Sequence, residues 1–236
     1  MLVISPHPDD CILGAAGTMM RFVKAGGEVT VLTVAIQQPS LYPEELFHCI
    51  IEEAKNAHAM IGVKESIFLN KPALSLGQMP HIELNQYIED CVEKGCPTIA
   101  LIPFFDRHID HRACFDSAMV ACRPIGRGRG IDLVAAYEVL SSTYYNAPHL
   151  EPNFTPNWIV DISDSIDTKI EALKCFSSQI DEIPHRRSAE AVKALALFRG
   201  SQAGVAFGEG YHILRMQAPP ETFIDPSRIV RDFGKT

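Results

Sequence analysis

Short apolar runs of strand length alternate with helix-length amphipathic segments through the first half of the chain, and this alternation leaves few folds open. Leu2–Ser5 is an apolar run ending at a turn rich in Pro and Asp, as a buried parallel strand does. Ile12, Ala15, Ala16, Met19, Phe22 and Val23 then share one helical face, stopped by Gly26-Gly27. The β-branched run Val29–Val34 reads as a second strand. A helix over Glu44–Ile61 ends at Gly62 and precedes the strand-like Ser66–Leu69. A helix over His81–Glu93 leads to the strand Thr98–Pro103, and a further helix runs from about Asp110 to Cys122. Strands separated by helices of this length pair in parallel through right-handed crossovers. The expected fold class is α/β, a mostly parallel sheet flanked by helices.

The C-terminal part is less regular. Leu133–Leu140 and Trp158–Ile162 read as strands, and Ile166, Ile170, Leu173 and Phe176 mark an amphipathic helix. Another helix covers Ala189–Phe198, and a closing strand lies near Tyr211–Arg215. There is no internal repeat or linker, so residues 1–236 are expected to form a single domain. With 47% apolar residues the chain can bury a large core, and its net charge of -8 argues against a nucleic-acid partner. It does not exclude a small anionic substrate, which needs only one local basic cluster. Seven cysteines without a CxxC pair suit reduced, mostly buried thiols. The start of the chain lacks the basic residues and long apolar run of a signal peptide, and no stretch approaches the ~20 apolar residues that span a bilayer. The expectation is a cytoplasmic protein not inserted in a membrane.

In parallel α/β sheets ligands bind at the carboxyl ends of the strands, where the helices begin. The loop after the first strand reads Pro6-His7-Pro8-Asp9-Asp10, and that after Pro103 contains Asp106-Arg107-His108-Ile109-Asp110-His111. The first puts an imidazole and a carboxylate three residues apart, and the second puts two imidazoles three residues apart with carboxylates before and between them. Two histidines and one carboxylate, with a position left for water, are a catalytic zinc arrangement that makes hydroxide available near neutral pH. A further carboxylate is the natural general base, and a spare imidazole can stabilise an oxyanion or protonate a leaving amine. Spacing alone does not say which Asp does which. The alternative is structural: Asp9 and Asp10 capping a helix N-terminus, with His108 and His111 as ordinary loop residues.

These motifs, with Gly14-Ala15-Ala16-Gly17-Thr18 and His108-Ile109-Asp110-His111-Arg112-Ala113, resemble the LmbE-like, or PIG-L, deacetylase family. Lys169–Leu173 with Ser177-Ser178-Gln179, and Phe198–Gly204 with Gly208-Glu209-Gly210-Tyr211, are similar to later family segments. The resemblance implies a Rossmann-like sheet without a dinucleotide, and one zinc ion per chain held by His7, Asp10 and His111. It implies Asp9 as general base, His108 at the carbonyl or oxyanion, and Asp110 orienting and charging a neighbouring imidazole. The reaction implied is removal of the acetyl group from an N-acetylglucosamine-type conjugate, a small-molecule amino sugar. It also implies a possible homo-oligomer.

Two departures stand out. The first family motif normally ends in Glu where this chain has Cys11, read here as a packed cysteine at a helix start. Many relatives in the family it resembles carry an Arg-x-x-Glu pair on the second helix, where this chain has Ile50 and Glu53. Glu53, Arg127 in the run Gly126-Arg127-Gly128-Arg129-Gly130, and Glu209 are candidate substrate contacts, each weighed against a bland reading as a solvated residue or mobile turn. His185-Arg186-Arg187 reads as a solvated helix start. Gly14-x-x-Gly17 is not a dinucleotide fingerprint, and neither GxSxG nor HExxH occurs. Rival functions are an amidase cleaving a larger amide such as a thiol conjugate, and a metal-containing carbohydrate-binding protein with impaired catalysis.

Overall fold

The structure, a computed structural model, describes residues 1–36, 43–147 and 149–217. The βα alternation gives β1 (Leu2–Ser5), α1 (Asp10–Lys24), β2 (Thr30–Ile36), α2 (Glu44–Ile61), β3 (Glu65–Pro72), α3 (His81–Gly95), β4 (Ile99–Pro103) and α4 (Ile109–Ala121). There follow β5 (Leu133–Tyr137), β6 (Trp158–Asp161), α5 (Ile166–Lys174), α6 (Ala189–Ala203) and β7 (Gly208–Met216). The strands form one seven-stranded sheet in the order β3-β2-β1-β4-β5-β7-β6. The first five of these are parallel, and β7 runs antiparallel to both β5 and β6.

Alternation along the strands separates two apolar layers. Val3 and Val31 face one layer with Ile12, Met19, Ala54, Ile166 and Val192 from α1, α2, α5 and α6. Leu2, Ile4 and Leu32 face the other with Leu84, Ile88 and Ala118 from α3 and α4. No helix among the described residues is long and apolar enough to cross a membrane.

Helix α1 starts with Asp10 and ends with Arg21 and Lys24, charges that complement its dipole. Its first ten residues are all buried, because β7 and α5 pack closely along it. A Cβ at Gly14 would stand 2.2 Å from the Tyr137 ring, and one at Gly17 would stand 2.4 Å from Ile162. The Gly14–Thr18 run is therefore a strip of close approach.

Most element bounds move by a few residues from the sequence reading, and three of the changes have a local cause. β5 stops at Tyr137 rather than Leu140, because the chain turns where the Ser142 and Thr143 N–H groups donate to the Val139 carbonyl at 2.9 and 2.8 Å. α5 ends at Lys174, so Phe176 is buried from the following turn rather than from the helix. α6 continues past Phe198 to Ala203, where Gly204 takes φ 72° and stops it.

Candidate active site

Strands β1 and β4 are neighbours although β2, β3 and three helices separate them in the chain, so the sheet order reverses between them. At such a switch point the two following loops open away from each other and leave a crevice at the strand ends. Those loops are the two that carry the His and Asp clusters.

The turn before α1 is held by its own side chains. Ser5 Oγ donates to the His7 carbonyl at 2.5 Å and accepts from the Cys11 N–H at 3.0 Å, while the His7 N–H donates to Asp10 Oδ2 at 2.9 Å. Ahead of α4, Asp106 Oδ1 accepts from the His108 N–H at 2.8 Å, and His108 Nδ1 accepts from the Asp110 N–H at 3.2 Å.

The two loops meet at Asp10. Its Oδ2 lies 3.0 Å from His7 Nδ1 and 3.1 Å from His111 Nε2. Each imidazole has a second carboxylate behind it: Asp110 Oδ2 stands 3.0 Å from His7 Nε2, and Asp106 Oδ2 stands 2.9 Å from His111 Nδ1. Ligand atoms of His7, His108 and His111 all fall within 4.8 Å of one another. Asp10 Oδ1 is buried with no hydrogen-bond partner, although a carboxylate oxygen in that position should have one. A cation beside Asp10 would satisfy it. Two imidazoles, a carboxylate with an unused oxygen and carboxylates orienting the imidazoles from behind suit a divalent metal.

Charges are paired throughout the cluster. Burial disfavours an imidazolium at His7 and His111, but Asp10, with Asp110 behind the first and Asp106 behind the second, outweighs it and raises them to about 9 and about 10. Burial likewise opposes charge on Asp10, yet the two facing imidazoles hold it well below the usual carboxylate range. His108 has no such partner: burial, then the positive neighbours His7 and His111, lower it to about 4. It is therefore neutral, and with Nδ1 accepting from the backbone its proton sits on Nε2.

A cavity of about 220 Å³ opens above this cluster. His7, Asp9, Asp10, His108 and His111 form its floor. Ile36, Ile50, Ala73 and Leu74 form an apolar wall, and Gln179, Arg186 and Arg187 stand on another side. Asp9 makes no capping bond to α1 and instead lies 2.6 Å, Oδ2 to Nε, from Arg187. Another cavity, of about 250 Å³ beside Met1, Phe22 and Cys96, lies at the opposite end of the strands, away from these side chains.

Cys11 is packed beneath the site. Its Sγ lies 3.5 Å from His58 Nε2, and burial pushes the thiol up to about 12, which leaves it neutral.

Three sequence candidates do not reach the cavity. Glu53 is 7% exposed and binds Ser177 Oγ, the Ser178 N–H and Ser178 Oγ at 2.5–2.9 Å, fastening the segment after α5 to α2. Glu209 is buried against Lys169 Nζ at 2.6 Å and accepts from the Gly17 and Thr18 N–H groups at 2.8 Å, so it joins β7 and α5 to α1. Arg127 pairs with Asp90 and Glu93 on α3 at 2.9 and 3.0 Å. It follows α4, which leads away from the site, so it lies toward the opposite end of the strands.

Other site residues were given no role in the site by sequence reasoning. Asp106 carries a heavy load, taking Ser142 Oγ at 2.8 Å and Thr143 Oγ1 at 3.1 Å besides His108 and His111. Ser141 and Ser142 lie just past β5, and the strand-end rule that singled out the other two loops points to that loop as well. Arg187 is half-buried and ion-paired rather than solvated. Its only sequence signal is the doublet with Arg186.

Residues 2–122 match the family described as PIG-L, GlcNAc-PI de-N-acetylase. A diacetylchitobiose deacetylase of Thermococcus kodakarensis is 27% identical over 224 residues, covering 89% of this chain and 81% of its own length. Among solved structures, the N,N'-diacetylchitobiose deacetylase from Pyrococcus horikoshii superposes with a TM-score of 0.71 at 24% identity, over 95% of this chain and 85% of that one. GalB, the 4-carboxy-2-hydroxymuconate hydratase of Pseudomonas putida, gives 0.75 at 19% identity over 92% and 97%. The same fold thus carries an amide hydrolase and a hydratase, and the reaction has to be read from the site.

Proposed function

The chain belongs to the PIG-L family of de-N-acetylases, and from that premise we propose that it is a zinc-dependent hydrolase removing the acetyl group from an N-acetylglucosamine-type amino sugar. The observation that carries the reading is Asp10, whose carboxylate sits between two oriented imidazoles with one oxygen unsatisfied, on the floor of a cavity that also holds Asp9 and His108. In this reading His7, Asp10 and His111 hold the metal. Bound there, zinc would supply a Lewis acid toward the acetyl carbonyl.

The chain's own groups divide the remaining work. Asp9 takes the proton from the attacking water and returns it to the amine nitrogen as the C–N bond breaks, with Arg187 fixing its carboxylate at 2.6 Å. His108, neutral and protonated on Nε2, donates a hydrogen bond to the oxyanion as it develops, a contact stronger in the transition state than in the ground state. Asp110 and Asp106 do not touch substrate in this scheme. They set the orientation of His7 and His111. The buried, reduced thiols of Cys114 and Cys122 suit a cytoplasmic setting.

The test is acetate release from N-acetylated amino sugars, which a chelator should abolish and added zinc should restore. Asp9→Asn should keep its metal and lose roughly 10²–10⁴-fold in turnover, the scale of a lost general base. An Asp9→Asn protein as active as the parent would refute the assigned role.

A further inference from the structure

The two arginines that line the cavity are not equivalent. Arg187 is committed to Asp9, whereas Arg186 lines the same cavity and has no carboxylate partner among the described residues. Its recorded contact is with an aromatic face: the guanidinium carbon stands 5.5 Å from the ring centroid of Tyr145, itself 60% exposed. Its backbone is nonetheless fixed. The His185 N–H donates to the Glu182 carbonyl at 2.9 Å and the Ser188 N–H to the His185 carbonyl at 3.0 Å. Ser188 caps α6, accepting from the Ala191 N–H at 3.2 Å. The Arg186 side chain is exposed, so a planar cation on a fixed stretch of backbone is offered to a ligand that enters the cavity.

The rest of the cavity gives this placement its meaning. The wall formed by Ile36, Ile50, Ala73 and Leu74 offers no charge to a substrate. Asp10 is occupied by imidazoles and Asp9 by Arg187. Arg186 lines the same cavity of about 220 Å³ as Asp9 and His108, so it borders the space that a sugar bound there shares with its aglycone. In a chain of net charge -8, an uncompensated cation there is a local reversal of sign.

Resting on the deacetylase reading, we propose that Arg186 determines specificity by binding an anionic group, a carboxylate or a phosphate, carried by the aglycone of the amino sugar. The planar guanidinium grips either anion through paired N–H donors while Tyr145 supports its face. A neutral aglycone leaves that donor set unused.

The experiment compares the zinc-loaded protein on three matched N-acetylglucosaminides, with a methyl, a carboxylate-bearing and a phosphate-bearing aglycone. At least one anionic substrate should be preferred over the neutral one, and which of the two is preferred identifies the anion. Arg186→Met, which keeps the aliphatic stem, should lower that preference by roughly 10- to 100-fold, mainly through KM, the scale of a lost charged hydrogen bond. Arg186→Lys should retain part of it as a point charge. A wild type that treats all three alike, or an unchanged preference in Arg186→Met, overturns the proposal. Should no substrate release acetate, the deacetylase reading falls, and calorimetric binding of the same compounds still decides the role of Arg186. At least tenfold weaker binding of the anionic compound by Arg186→Met, relative to the neutral one, supports the proposal; equal weakening overturns it.

Discussion

Replacing Asp106 by Asn changes one oxygen to an amide nitrogen, and the hydrogen bonds around it define what must follow. Oδ1, which takes the His108 N–H, can remain a carbonyl oxygen. The amide nitrogen then occupies the place of Oδ2, facing Ser142 Oγ, Thr143 Oγ1 and His111 Nδ1. The two hydroxyls can rotate to accept, but His111 Nδ1 can accept only by giving up its proton. The neutral imidazole then carries its proton on Nε2, the nitrogen that points at Asp10 and is assigned to the metal. The variant therefore favours the wrong tautomer without removing any ligand. Orienting carboxylates of this kind are worth about 10- to 100-fold in metal affinity, or about 1.4–2.8 kcal/mol. The loss in folding stability should be smaller than for Asp106→Ala, which strands the donors of His108, Ser142 and Thr143 along with His111. Competition against a chromophoric chelator measures the affinity, and denaturant unfolding of the metal-free protein checks the fold. A folded Asp106→Asn protein that binds zinc within twofold of the parent would refute the reasoning.

Three further outcomes are expected. With folded values of about 9 and about 10, His7 and His111 lie above the usual 6.5, so their pairing stabilises the metal-free fold fully below about pH 6.5 and loses that contribution as pH rises through 9 to 10. A metal has to displace those protons, so zinc affinity should rise with pH across this window, and calorimetry in buffers of different ionisation enthalpy should show proton release at pH 7.5. Release of no protons would mean these imidazoles are not the ligands. Lys169→Met strands Glu209 in the core and should cost about 3–5 kcal/mol by chemical denaturation with zinc affinity kept, whereas a shift below 1 kcal/mol would deny the pair its structural role. Arg127→Ala removes exposed pairs to α3, so stability should stay within about 0.5 kcal/mol and KM should not move; a raised KM would return Arg127 to the site.

Both loops of the site were legible because their position follows from local pattern. A buried strand run, a polar turn and an amphipathic helix place His7 and His111 at carboxyl ends of strands before any long-range contact is known. The order of the last strands was not legible. β7 pairs between β5 and β6, and nothing in a four-residue apolar run such as Trp158–Asp161 says which edge it will meet. Glu53 and Glu209 were misread for a related reason. An isolated Glu is usually solvated, and each is buried here only because partners far away in sequence, Ser177 and Ser178 for one and Lys169 for the other, arrive beside it. Arg127 could have been placed correctly from sequence, since a residue beyond a crossover helix belongs to the amino ends of the strands, opposite the active loops.

Cys11 and Ile50, the two departures from the family pattern, share one apolar layer. Both side chains belong to the layer where α1 meets α2, together with Ala54 and Ala57. His58 on the same helix lies beside Cys11, and burial lowers it to about 4, so it too is neutral. Among the described residues α2 lines the cavity with Ile50 alone, so a polar substrate group gains nothing from that side chain. Glu53, the remaining member of the pair on α2, fixes Ser177 and Ser178, and just beyond them come Gln179 and then Arg186 and Arg187 at the cavity. Helix α2 thus contributes to recognition by anchoring the segment that carries the cations. Weakening that anchor with Glu53→Gln should disturb Arg186 and Arg187 while leaving His7, Asp10 and His111 in place, which predicts a larger effect on KM than on metal affinity.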